Sequence, residues 1–147
     1  MKKILCVIAL ILVAYAGYLE YMPRVAEPPT GAASSINSDS DVARAFENQT
    51  SNVQVQGQGV VSKVLPDDND GSRHQRFILR LNSTLTVLIA HNIDLAPRVS
   101  SLGVGDTISF YGEYEWNSKG GVIHWTHDDP AGRHPAGWLM RNGQKFQ

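Results

Sequence analysis

The chain has a single cysteine in 147 residues, Cys6, and it lies in an apolar N-terminal run. A mature chain without that run has no disulfide and no thiolate metal ligand, so packing must hold the fold and any metal must sit on His, Asp or Glu. Cys6 falls inside the run rather than just after it, which gives no indication of a lipid-modified mature N-terminus. An excess of either charge is also missing: 13 basic and 14 acidic residues leave a net charge of −1. Residues 1–16 hold two lysines and no acid, so the remainder carries a net charge of −3. That balance disfavours electrostatic nucleic-acid binding, which depends on counterion release by Lys and Arg. There is no Gly-x-Ser-x-Gly elbow, no phosphate-binding Gly-Lys loop and no dinucleotide fingerprint, so serine hydrolases, nucleotide triphosphatases and Rossmann enzymes lack support. No internal repeat and no helical segment long enough for an α/β fold are present. The ordinary composition excludes collagen-like, coiled-coil and wholly disordered chains.

What is present begins with Met1-Lys2-Lys3, then thirteen apolar residues from Ile4 to Ala16, with Ala14-Tyr15-Ala16 before Gly17. A basic start, an apolar core and a small-residue cleavage site are the order of a secretory signal. Export to the periplasm or beyond is expected, with residues 1–16 removed. The competing expectation is an inner-membrane anchor over residues 1–22, because Tyr18 to Met22 prolongs the run towards the roughly 20 apolar residues of a spanning helix. Glu20 interrupts that extension, and membrane contact is expected through this segment alone. Residues 17–38 read as a linker, with three prolines and many small polar residues after Met22 and no apolar period.

Residues 39–147 are expected to form one domain. Ser38 to Asp41 offer N-cap chemistry before Val42, Ala45, Phe46 and Gln49 at helical spacing, a short amphipathic helix suited to plug one end of the domain. From Val53 the period becomes two: Val53, Val55, Gly57, Gly59 and Val61 alternate with Gln54, Gln56, Gln58 and Val60, a long first strand with glycines where it bends. A turn-rich loop, Pro66 to Ser72, leads to Phe77, Leu79 and Leu81 facing one way and Arg76, Ile78 and Arg80 the other. Thr86 to Ala90 is continuously apolar, a third strand expected to be covered on both faces. A long crossing from His91 to Asp106 follows. Thr107 to Trp116 alternates again, and Asn117 to Gly121 turns it into a last strand from Val122 to Thr126. A three-strand meander, a long connection and a closing hairpin predict an all-β fold, a small five-stranded Greek-key barrel of the OB type with a short N-terminal helix. An open sandwich is the alternative.

Leu65-Pro66-Asp67-Asp68, His74-Gln75-Arg76-Phe77, Ile89 to Ala96 (IAHNIDLA), Gly112 to Asn117 (GEYEWN) and Gly121 to His127 (GVIHWTH) resemble an uncharacterised family of small exported bacterial proteins, classed as a domain of unknown function. The resemblance covers about residues 42–147. It implies a bacterial source, export and a single domain, and brings no activity with it.

All five histidines lie in the barrel region, and His124, His127 and His134 share residues 116–138 with all three tryptophans. Imidazole and carboxylate are the ligand set of zinc and related divalent ions, so His124, His127, Asp128 and His134 are candidate metal ligands. His124 and His127 point to opposite faces of one strand, so both reach a single ion only if the strand ends near Thr126 and turns. Otherwise these residues bond loop backbone over Trp125 and Trp138. Asp67 to Gly71 resembles the start of a calcium loop, but Arg76 and Phe77 stand where the bidentate Glu belongs, so a solvated hairpin tip is the simpler account. His91 could act as general base beside Asn92, or bond the crossover structurally. Glu113 and Glu115 share one strand face, either as a paired-carboxylate centre or as the solvent side of an edge.

Two functions follow. One is a binding module that uses His74, Arg76, His91, Asn92, Glu113, His124 and Trp125 to hold a small anion, a glycan or an envelope protein. The other is a metal-dependent hydrolase of the phosphodiesterase or nuclease type, in which His91 or Glu113 activates water. Single-strand binding would rest on Lys63, Arg76, Arg80 and Tyr111, a thin stripe.

Overall fold

The computed structural model describes residues 38–82 and 84–147. The signal or anchor and nearly all of the expected linker lie outside the described residues. Helix α1 (Ser38–Glu47) is followed by β1 (Val53–Val64), β2 (His74–Arg80), β3 (Thr86–Asn92), β4 (Thr107–Glu115), β5 (Val122–His124), β6 (Trp138–Arg141) and β7 (Gln144–Phe146). Among the described residues no helix is long and apolar enough to cross a membrane.

The twelve residues of β1 pair with two partners. Its first part, Val53 to Val60, runs antiparallel to β4, and its second, Val60 to Val64, antiparallel to β2. The register slips between Val61 and Lys63, where a bulge lets one strand bend from one neighbour to the other. The circuit then runs β1-β2-β3-β5-β4 and back to β1, with β3 and β5 parallel. This is the closed five-stranded Greek-key order of an OB-type barrel, as the strand pattern predicts.

Strand alternation sorts the side chains. Val55, Val61, Phe77, Leu79, Val87, Ile89, Ile108, Phe110, Tyr114 and Ile123 fill the interior. Gly57 is needed for space rather than for a bend, because a Cβ there would fall 2.4 Å from Cζ of Phe110. Val42 and Ala45 of α1 join the same core, Phe46 packs against it, and Trp116 donates its indole N–H to the Phe46 carbonyl at 3.1 Å.

Three expectations need correction. β3 is not covered on both faces: Val87, Ile89 and His91 are buried, whereas Leu88 and Ala90 are half-exposed. Its outer face lies beside a surface cleft rather than under another layer. The last barrel strand stops at His124, because Trp125 adopts a left-handed conformation (φ 51°) that breaks the alternation. Finally, β6 and β7 form a hairpin that the strand count omitted. Their Asn142-Gly143 turn has both residues at positive φ (51° and 79°), the geometry that two-residue hairpins favour. Leu139 and Phe146, a cross-strand pair, anchor the hairpin in the core.

β4 is therefore no edge strand. One side lies along β1; the other pairs with β5 through residues 113–115 and with β6 through residues 109–111.

Candidate functional site

Strand alternation and register place one polar set outside the barrel. His74 pairs across from Asn92, Arg76 from Ala90, Glu113 from His124 and Glu115 from Val122. A cleft of about 310 Å³ opens on this face, lined by Asp68, His74, Arg76, Ala90, Glu115, Val122 and His124. The loop between β1 and β2 folds back onto it. Asp68 and His74 exchange backbone hydrogen bonds of 2.9 and 2.8 Å, and the Asp68 carboxylate lies 3.4 Å from Nη1 of Arg76. Arg76 Nε donates to the Pro66 carbonyl at 3.1 Å. Asp67 pairs with Arg98 across the same end. The acidic loop is thus a hairpin tip tied down by arginines, in line with the simpler account of it.

His91 is not on this surface. It is fully buried, with Nδ1 2.9 Å from Oγ1 of Thr126 and Nε2 3.1 Å from the Pro97 carbonyl. A carbonyl only accepts, so Nε2 carries the proton and the Thr126 hydroxyl donates to Nδ1. Burial drives its pKa down to about 4, with His127 and His74 adding to the shift and the bond to Pro97 opposing it. A neutral imidazole with both nitrogens engaged inside the barrel is a structural element, and the general-base and ligand-binding roles considered for His91 are corrected accordingly. The crossover that supplies Pro97 is itself fixed. Gln75, buried on the same strand face as Phe77 and Leu79, exchanges hydrogen bonds with Val99 through its side-chain amide (3.0 and 2.9 Å). Arg73 pairs with Asp94 at 2.7 Å, and its backbone and side-chain hydrogen bonds hold that carboxyl below the usual range. Asn92 is likewise occupied, its Oδ1 accepting the Asp94 N–H at 2.9 Å.

The tryptophan-histidine segment is organised by its kink. Left-handed Trp125 sends its ring outward to stack on His134, with centroids 3.7 Å apart and planes inclined by 18°. Asp129 shapes the intervening turn by accepting the N–H groups of Ala131, Arg133 and His134, which lowers its own pKa, the Ala131 bond contributing most. Gly137 returns the chain, donating to the His127 carbonyl at 2.9 Å.

The candidate metal quartet does not converge. His127 is buried, and its Nδ1 bonds the Asp128 carbonyl at 2.6 Å. Among the described residues, the three whose ligand atoms all lie within 4.8 Å of one another are Glu113, Glu115 and His124. Glu113 Oε1 is 3.6 Å from His124 Nε2, and Oε2 is 3.7 Å from His134 Nδ1. Burial lowers the His124 pKa, against the opposing pull of Glu113 and Glu115. His74, Arg76 and His124 share the cleft; Glu113 stands beside it, and Trp125 lies against His134. Of these groupings, sequence reasoning had the residue types but not the sharing of Glu113 between two imidazoles. The opposition of Glu113 and His124 across a predicted β4–β5 hairpin was the signal available for it.

Fold and surface together define a small closed β-barrel with a polar cleft on its outer face and no nucleotide or nucleophile motif. The chain belongs to the family described as "Protein of unknown function (DUF3465)", whose match runs over residues 28–147. That span takes in the whole barrel and starts upstream of the resemblance noted from the motifs. No curated protein matches the chain.

Proposed function

We propose that the protein is an exported binding module whose ligand occupies the outer cleft. The observation that carries this is the cleft itself, of about 310 Å³, on the face of β2, β3 and β5. Its volume is at the lower end of small-molecule sites. Arg76 is already engaged by Asp68 and Pro66, and Glu115 adds a carboxylate, so a simple anion is poorly served. Donors and acceptors around a floor of Ala90 and Val122 suit an uncharged, hydroxyl-rich molecule, and a short glycan is the favoured class.

The test is an amide-shift titration of the ¹⁵N-labelled protein with maltotriose and with diacetylchitobiose. Shifts should concentrate at Arg76, Ala90, Val122 and His124. Ala90→Trp, which fills the cleft from a half-exposed position, should weaken binding at least tenfold with little change in thermal stability. An absence of response to both sugars, or shifts confined to the opposite face, would overturn the glycan reading. Export rests on residues 1–16, and periplasmic protein beginning at Gly17 would support it. An intact chain in the membrane fraction would favour the anchor over residues 1–22, and an intact chain in the cytoplasm would overturn export. The hydrolase alternative gains no support from His91, one of its two candidate bases, which is buried and doubly bonded.

A further inference from the structure

We infer that Glu113, Glu115 and His124 form a binding site for a divalent ion of the zinc class, with one coordination position open towards the cleft. The three come together on and beside β4, a strand paired on both sides. Glu113 and Glu115 are two apart on β4 and therefore share its outer face. His124 stands directly across from Glu113 in the β4–β5 ladder.

The ligand atoms of the three lie within 4.8 Å of one another, and the Glu113–His124 pair is close to the spacing of ligands sharing an ion. At 3.6 and 3.7 Å, the contacts of Glu113 with His124 and His134 are too long for hydrogen bonds. They are also too short for an intervening water, which spaces its two partners by about 4.5 Å or more. Two ligand atoms bound tetrahedrally to zinc lie about 3.3 Å apart, so a small closing movement would complete the geometry.

A second observation points the same way. His124 Nε2 is shielded from solvent and has no hydrogen-bond partner. A shielded ring nitrogen left unbonded carries a desolvation penalty that a hydrogen-bond partner or a metal removes. The groups nearest to it, the Glu113 and Glu115 carboxylates, could accept from Nε2 only if it carries the ring proton, and Glu113 at 3.6 Å stands beyond hydrogen-bond reach; with the proton on Nδ1, the Nε2 lone pair faces the two carboxylates and is free for a metal. The surroundings are built to hold the arrangement. Trp125 stacks on His134, and the Asp129 turn fixes the His134 backbone, so that imidazole stays against the far oxygen of Glu113. One nitrogen and two carboxylates suit zinc and its neighbours, whereas magnesium and calcium prefer oxygen alone. Glu115 and His124 also line the cleft, so an ion held there would face whatever enters it. The ion site does not depend on the glycan reading.

The experiment is a calorimetric titration of the untagged, chelator-stripped full chain with zinc chloride, with magnesium chloride as the comparison. One equivalent of zinc should bind with micromolar or tighter affinity, and magnesium should give no saturable heat. Glu113→Gln and His124→Ala should each weaken zinc binding at least tenfold, and Glu47→Gln, on the exposed side of α1, should leave it unchanged. Zinc should also shift the Nε2 resonance of His124 in the wild type and leave that of His74 in place. If His124→Ala fails to fold, Glu113→Gln and the His124 resonance decide. Non-stoichiometric uptake, or zinc binding that both folded variants retain in full, would overturn the proposal. Zinc binding without any response to sugars would remove the glycan reading and leave the ion site standing.

Discussion

The wild-type protein should lose roughly 2 kcal/mol of folding stability between pH 7.5 and pH 5, and His91→Leu should abolish most of that loss. Burial holds the His91 pKa at about 4 in the native state, whereas an unfolded histidine titrates near its ordinary value of about 6.5. Between these two values the unfolded chain binds the extra proton and the native chain does not, so acid favours unfolding. The contribution is complete above about pH 7, falls away below about 6.5, and levels off below about 4. At pH 7.5 the same substitution strands the Thr126 hydroxyl and the Pro97 carbonyl, at a cost of about 2 to 4 kcal/mol. The variant is thus less stable at neutral pH and flatter with pH. Urea denaturation of both proteins at several pH values measures this directly. An unchanged slope in the variant would show that His91 is not the acid-sensitive group.

Gly137→Ala should destabilise the protein by about 3 kcal/mol, a large effect for one added methyl group. The new Cβ would sit 1.9 Å from the Trp125 carbonyl oxygen, 2.7 Å from that of Tyr111 and 2.9 Å from the Thr126 Cα. All three are backbone atoms, so no side-chain rotation relieves the clash. The chain must separate either from β4 or from the Trp125 kink. Hydrogen exchange should therefore accelerate first at the Leu139 and Phe146 amides of the terminal hairpin, while Phe77 and Ile89 in the barrel keep their protection. Uniform acceleration would mean that the hairpin and barrel unfold as one unit. A melting temperature close to wild type would show that the loop absorbs the methyl group.

How far these features could be read in advance depended on whether they were local. Alternation in β1, β2 and β4 follows from the pleat, so Val55, Phe77, Phe110 and Tyr114 could be assigned inward from spacing alone. The closing pair of β1 with β4 followed from the order of strands and the long crossing between the third and fourth. The terminal hairpin was legible too, since Asn142-Gly143 lies between Leu139 and Phe146.

Trp125 was not legible. Nothing in a Val-Ile-His-Trp-Thr run announces a left-handed aromatic residue, which costs roughly 1 to 3 kcal/mol and persists only where the surroundings impose it. Without that kink, His127 is as available as His124 by spacing, so the sequence groups two residues that the fold does not bring together. His91 presents the same difficulty in another form: its inward direction could be counted from Val87 and Ile89, but the Pro97 and Thr126 partners that make burial tolerable come from distant segments. Gln75 follows the same rule, an inward polar residue whose acceptor and donor both belong to Val99.

The segment between β5 and β6 leaves the flank of β4 and returns to that same flank a few residues away. Its two feet therefore stand side by side on one rigid support, with contacts concentrated at Trp125 to His127 and at Gly137. The crown around Pro130 to Arg133 is exposed and bears little on the barrel. Lengthening it would give up hydrogen bonds of the Asp129 turn and add loop-closure entropy of about 0.6 kcal/mol for each doubling, while leaving the pairings of β4 intact. The crown is thus where related chains can differ in length without altering the scaffold, and where a foreign peptide could be displayed with both ends held.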